Sequence, residues 1–245
     1  MTQTAVIPDY LKPAMEHLET ARSAHLANAS RMDETTAAIS QVKAQKNELE
    51  QENGNDSGAW RTAFRAGGAV ITDELKQRHI ARVARRELVQ ECDSMTEVLS
   101  FELDNLKGAC DSTARAYRQA HHGVLSQYAK HELDVALRET CGALVRAMKL
   151  NILVLNNPLA NTIGHQGYTE PEKAVMQQVK AWLEQAVKGC NIRLTDEPVL
   201  FKTGLSASTL PHMEYDVAAT PGQRQVWFEK MNKRESDLKA RGLLS

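Results

Sequence analysis

The sequence predicts an all-α chain, an elongated bundle of long antiparallel helices, and three observations predict it. Pro8 and Pro13 stand near the start and the next proline is Pro158, which leaves 144 residues without one. That gap holds only seven glycines, too few for a sandwich, a barrel or a βαβ array, each of which needs turn chemistry roughly every ten to fifteen residues. Through the same gap, apolar residues recur at steps of three and four, the period of a helix face.

The first helix is expected over residues 9–52, with Leu11, Met15, Leu18, Ala29, Met32, Ile39, Val42 and Leu49 on one stripe. Pro13 fits in its first turn or so, where a missing N–H costs little. Residues 53–58 (NGNDSG) read as a turn, which makes a helical hairpin. Trp60 and Phe64 follow at i, i+4, and Gly67 and Gly68 break the chain again.

Thr72 reads as the N-cap of the central helix, with Asp73 and Glu74 in the first turn, where the helix dipole favours acid. Its apolar ladder is Leu88, Cys92, Met95, Leu99, Leu103, Leu106, Cys110, Thr113, Tyr117, Ala120 and Val124. This is a heptad seam relaxed by one extra four-residue step at Leu99 to Leu103. A second ladder, Leu133, Leu137, Cys141, Leu144, Met148, Ile152 and Leu155, is out of phase with the first. A bend or short turn is therefore expected over residues 121–126, at Gly123.

After residue 157 the prolines return, five of the seven, and the chain divides there. Residues 1–157 read as a long-helix strut and residues 158–245 as a helical region with loops and a self-association helix. Residues 156–169 are expected as a loop with Gly164 and Gly167, closed by a capping box at Thr169 and Glu172. A helix over 170–188 is expected to bury Val175, Val179, Trp182, Leu183 and Ala186, with Gly189 as its cap. Residues 190–204 are the strand-like part, at most a minor two-stranded β element around Asp196, Glu197 and Pro198. Thr220, Pro221 and Gln223 combine an N-cap, proline at the first helical position and a capping-box glutamine. The last helix then runs over 221–241, with Trp227, Met231 and Leu238 on one stripe and Gly242 as its stop.

Composition narrows the function class. Only 5% of residues are aromatic, and alanine-rich helix contacts bury little apolar area each, so self-association is expected to supply burial. Net charge is −1, so no global field favours a polyanion or an anionic membrane. The most apolar run, residues 150–155, contains Asn151 and is far below the roughly 18 residues of a membrane span. The first residues lack a basic head and an apolar core, so no secretory signal is expected. Cys92, Cys110, Cys141 and Cys190 lie far apart and read as buried thiols of a reducing compartment, which points to the cytoplasm.

No residue pattern suggests catalysis. The eight histidines form no helical pair with a further ligand at metal spacing, and read as surface or helix-end residues. Neither Gly67 with Gly68 nor Gly164 with Gly167 has the lysine and strand context of a phosphate loop. No cofactor or metal is therefore expected. Arg78, Arg82, Arg85 and Arg86, beside His79, form a cationic stripe on the first turns of the central helix. It suits a partner or phosphate contact, or a solvated face compensated by Glu74, Glu87 and Glu91. No aromatic platform interleaves it, which disfavours single-stranded nucleic acid. Trp227, Met231 and Leu238, with the tail residues Leu243 and Leu244, are the candidate self-association residues, a core role for Trp227 being the alternative.

Residues 73–91 (DELKQRHIARVARRELVQE), 106–122 (LKGACDSTARAYRQAHH), 158–168 (PLANTIGHQGY) and 238–245 (LKARGLLS) resemble the capsid size determination (Sid) proteins of enterobacterial satellite phages. The resemblance covers essentially the whole chain and is loosest over residues 1–60. It implies a non-catalytic external scaffold that assembles as a cage around a helper phage's procapsid in the host cytoplasm. The implied partners are the hexamer-forming helper major capsid protein and other copies of the chain, as dimers and trimers, with the C-terminal part at three-fold contacts. No membrane and no nucleic acid are implied. Two readings of another class stay open: a helical nucleic-acid or transcription-termination antagonist, resting on the arginine stripe, and a generic coiled-coil adaptor.

Overall fold

The computed structural model describes residues 7–66, 71–157, 170–217 and 219–245. After a 3-10 turn at Asp9–Leu11, six α-helices are formed among the described residues: α1 Lys12–Ala66, α2 Asp73–Glu139, α3 Gly142–Leu155, α4 Pro171–Gly189, α5 Pro198–Thr203 and α6 Pro221–Ala240. No strand occurs among the described residues. The all-α expectation holds.

Several local signals act as read. The amide of Leu75 donates to the Thr72 hydroxyl at 3.3 Å, capping α2. At α6 the capping box forms in both directions between Thr220 and Gln223, with Pro221 in the first turn. Gly242 takes φ 72°. Its amide bonds Lys239 and that of Leu243 bonds back to Leu238, a Schellman arrangement that turns the tail onto the helix it ends.

Other expectations are corrected. The 53–58 turn does not form, and α1 continues to Ala66. Glycine lowers helix stability by only about 1 kcal/mol, and ties to α2 outweigh that: Arg85 bonds Asn53 Oδ1 at 3.3 Å and pairs with Asp56 and Glu52. Gly67 and Gly68 lie outside the described residues. Gly123 does not bend α2, because helix phase can drift without a break; the interruption comes at Thr140 and Cys141. The N-cap position of α4 is Glu170, with Pro171 in the first turn; Thr169, Gly164 and Gly167 lie outside the described residues. Residues 190–204 hold a 3-10 turn, Leu194–Asp196, and α5 instead of strands. Pro198 starts α5, and Tyr128 and His121 of α2 bind this segment through Glu197 and the Thr203 carbonyl, giving it a helix to lie on and no strand edge to pair with.

Contacts group the chain into two compact units, one of residues 1–18 and 119–208, the other of residues 19–118 and 209–245. In the second unit α1 and α2 run antiparallel. Trp60 Nε1 donates to the Leu75 carbonyl, Lys46 pairs with Asp93 at 2.6 Å, Met32 packs on Leu106 and Cys110, and His25 meets Thr113. The α2 seam is buried at Phe101, Leu106, Cys110, Tyr117 and Ala120, whereas Leu88 and Met95 are exposed. Phe101 lies under Met231 and Leu238 of α6, and Leu106 and Cys110 lie beside Tyr215. Two helices alone cover one stripe of each other, and the remaining seam needs a third layer.

In the first unit Leu11, Leu18, Val124, Val175 and Val199 are each buried. Tyr10 stacks on His131, ring centroids 3.8 Å apart. Glu197, bonded to the Tyr128 hydroxyl, pushes that phenol well above its ordinary value, with burial adding to the effect. The second ladder is not buried as expected: Leu133 and Leu137 are exposed, and no residue of α3 is buried.

Candidate interaction surfaces

The C-terminal candidates come together in the second unit. Met231 and Leu238 are buried on Phe101, and Trp227, Leu243 and Leu244 pack against them half-buried. Arg234 anchors the same helix by a 2.8 Å pair with Asp104 and by lying over the Phe101 ring, 5.8 Å from its centroid. Arg241 forks onto both oxygens of Glu97 at 2.7 Å. That bond holds the Glu97 carboxyl below its ordinary value. A Cβ built on Gly108 would lie 2.5 Å from the ring of Trp227, so glycine is what lets the indole reach α2. Within one chain, then, this stripe fastens α6, while Val226 and Phe228 face outward.

Next to it, residues 209–217 are strapped across α1 and α2 by side chains that spacing alone did not single out. His25 is 0% exposed. Its Nε2 donates to the Pro211 carbonyl at 2.8 Å, and its Nδ1 meets the Thr113 hydroxyl at 3.0 Å. Arg118 donates to the Met213 carbonyl at 2.9 Å. His212, with φ 57°, reaches Asp33 at 2.8 Å. The reading of all histidines as surface or helix-end residues is corrected here and at His121, also buried, which bonds the Thr203 carbonyl. A polar side chain inside a helix pattern looks the same in sequence whether it faces water or a buried carbonyl.

The arginine stripe is largely engaged within the chain. Arg78 pairs with Glu74 at 2.9 Å, and Arg85 with Asp56 and Glu52 of α1. Arg82 lies over the Trp60 ring, 5.6 Å from its centroid, and meets His79. Arg86 is exposed. The expectation that no aromatic platform accompanies the stripe is corrected: Trp60 of α1 supplies one, already covered by Arg82, because contact between two helices is invisible to the spacing along one of them. Compensated charge and an occupied ring leave little here to bind a polyanion.

A third surface lies in the first unit between α3 and α4. A groove of about 650 Å³ is lined by Met148 of α3 and by Met176, Val179, Leu183 and Val187 of α4, with Lys180, Glu184 and Lys188 on its rim. The expectation that α4 buries Val179, Trp182, Leu183 and Ala186 is corrected. Val175 is buried, Val179 half-buried, and Trp182 is 64% exposed. Periodicity reports that a face will be covered, without saying whether by the same chain.

The thiols divide likewise. Cys110 is buried, Cys92 and Cys141 half-buried, and Cys190 exposed. Burial, with Glu214 and Asp33 nearby, pushes the Cys110 thiol up and away from a reactive thiolate. Among the described residues no cluster of three His, Cys, Asp or Glu side chains has metal-site geometry, and no helix is long and apolar enough to cross a membrane.

No protein-family model matches the chain. Among curated proteins, Glycoprotein 3 of Enterobacteria phage P4 is 66% identical over 239 residues, spanning 98% of this chain and 98% of that protein. Among solved structures, the chain is similar to one from "Satellite phage P4 procapsid including size determination (Sid) protein", with TM-score 0.77, 65% identity, and coverage of 96% of this chain and 100% of that one.

Proposed function

This chain belongs to the size determination (Sid) family of satellite phages, and from that premise we propose that it is an external scaffolding protein of capsid assembly. It assembles as a cage on the outside of a helper-phage procapsid in the host cytoplasm and binds the helper's major capsid protein. The cage redirects assembly to a smaller shell that fits the satellite genome. The observation that carries this reading is identity of about two-thirds, sustained over nearly the full length of both chains, with the phage P4 protein. At that level the same surfaces are presented in the same places, and no catalytic step is part of the role.

The physical chemistry suits a scaffold. Surface is what such a protein acts with, and many large apolar side chains among the described residues of the first unit are exposed. In this reading residues 1–157 act as the strut, and residues 158–245 hold many of the contacts with neighbouring copies. The stripe of Trp227, Met231, Leu238, Leu243 and Leu244 sets the position of α6 for those contacts. Copies linked as dimers and trimers make a closed cage, and repeated contacts at fixed angles select one radius. Each contact with the capsid can then be weak, because the linked cage supplies avidity.

Co-expression with a helper major capsid protein and its internal scaffold tests this. Electron microscopy should show small, uniform shells carrying external density. Uniformly large, bare shells would overturn the reading.

A further inference from the structure

We infer that His25 is a positioning residue that fixes the register of α6 along α2, and through it the selection of one shell size. The inference rests on the scaffold reading and gives a role to a side chain that, at 0% exposure, cannot itself touch a partner. Within the second unit α6 runs antiparallel to α2. Trp227 sits at Gly108, Arg234 at Asp104, Leu238 at Phe101 and Arg241 at Glu97. The residues that face α2 (Trp227, Met231, Arg234 and Leu238) recur at steps of four and three. A slide by one helical turn, about 5.4 Å, therefore brings apolar groups onto the same seam again. Apolar burial is non-directional and separates the two positions poorly, and one-turn steps of one element past another are a mode by which proteins switch. Gly108 shapes a slot for the indole, while the two arginine pairs are partly exposed and borne on long side chains that can follow a slide.

The strap ahead of α6 carries the short, directional bonds. A carbonyl only accepts, so His25 Nε2 bears the hydrogen of its 2.8 Å bond to Pro211, and Nδ1 faces the Thr113 hydroxyl at 3.0 Å. One rigid ring thereby ties α1, α2 and the strap at a single point, through partners 88 and 186 positions away in sequence. The neighbouring strap residues are held as well. The Leu210 amide donates to Met213 Sδ at 3.0 Å, and Arg118 takes the Met213 carbonyl. His212 keeps φ 57°, which a residue with a Cβ adopts only where its surroundings hold it. Tyr215 then packs on Met32, Leu106 and Cys110, and the chain enters α6 at Pro221. With the strap fixed, α6 has one starting point on α2, and the exposed Val226 and Phe228 are presented at one place. Repeated contacts select one radius only if their angle is fixed in this way.

The test uses the full chain and three variants. His25→Leu removes both bonds at similar bulk, and His25→Gln can restore both, its amide N–H toward Pro211 and its oxygen toward Thr113. His25→Leu should keep its helical circular dichroism, while hydrogen exchange of the amides in 209–217 speeds up about tenfold. The nuclear Overhauser contact between the Trp227 ring and Gly108 should fade, and co-expression with helper capsid protein and its internal scaffold should yield shells of mixed size. His25→Gln should bring back slow exchange and uniform small shells. Thr113→Val covers the case in which His25→Leu fails to fold: it removes one bond and should speed the same exchange about threefold. The proposal is overturned by uniform small shells from a folded His25→Leu, or by mixed shells with the Trp227–Gly108 contact intact. A glutamine variant no better than the leucine one, or unchanged exchange in Thr113→Val, overturns it equally. Wild-type co-expression separates the two readings: uniformly large wild-type shells remove the scaffold role itself, whereas small wild-type shells with any of these negative results remove only the role of His25.

Discussion

The two units solve the same problem differently. In residues 19–118 with 209–245, the faces of α1 and α2 are closed by a third layer. Met231 and Leu238 come down on Phe101, and the strap at Pro211 and Met213 is held by His25 and Arg118. In residues 1–18 with 119–208, α4 packs beside α3, and no residue of α3 is buried among the described residues. Both units draw on parts of α1 and α2. What differs is whether a later segment folds back, and a scaffold needs both outcomes: a part that holds its own geometry and a part that keeps surface for neighbours.

The sharpest way to break the contrast is to remove a buried group from one unit and an exposed one from the other. Leu238 is fully buried, so Leu238→Ala should cost about 2–5 kcal/mol in denaturant unfolding. Val154, 67% exposed, should change stability by less than about 0.5 kcal/mol when cut to alanine. Equal effects would show that α3 is covered within the chain after all.

Two glycines give a smaller, signed version. Gly108→Ala pushes a methyl into the Trp227 ring and should destabilise by about 1–3 kcal/mol. Gly123 has nothing within 4 Å of a built Cβ, so Gly123→Ala should stabilise by about 0.5–1 kcal/mol through helix propensity. Thermal unfolding of the two variants reads both signs.

The smallest expected effect is on pH. Burial would raise the Asp104 carboxyl, but Lys107 and Arg234 outweigh it and hold it below its ordinary value. A carboxylate lowered by folding contributes stability above its unfolded pKa and loses it as pH falls through the folded one. The α6 anchor should therefore be unaffected from neutral pH down to about 4 and weaken below that. Asp104→Asn should flatten this acid limb and lower neutral-pH stability by under about 1 kcal/mol, since the pair is partly exposed.

How much of this was legible in the sequence follows from range. The Thr72 cap, the Thr220 and Gln223 box and the Gly242 stop are decided within four or five residues, and all three were readable. The 53–58 turn was misread because the ties of Arg85 come from a helix whose contacting residue lies about thirty positions on. The 190–204 strands were misread because β-like residues also suit a short helix held by Tyr128 and His121. Of the candidate site residues, the α6 stripe was legible as a stripe, and the arginine face as a face. Their intramolecular partners Phe101, Asp56 and Trp60 were not.

The sequence by itself determined that the chain is helical, where several helices begin and end, and which faces must leave water. Those follow from proline placement, capping chemistry and apolar period, all local properties. Only the tertiary structure decided who covers each face: α6 and the strap over α2, and, among the described residues, no cover that buries any residue of α3. The reason is physical. Apolar burial is non-directional, so a stripe states its need for cover equally to its own chain and to another, and only the folded arrangement shows which need is left unmet.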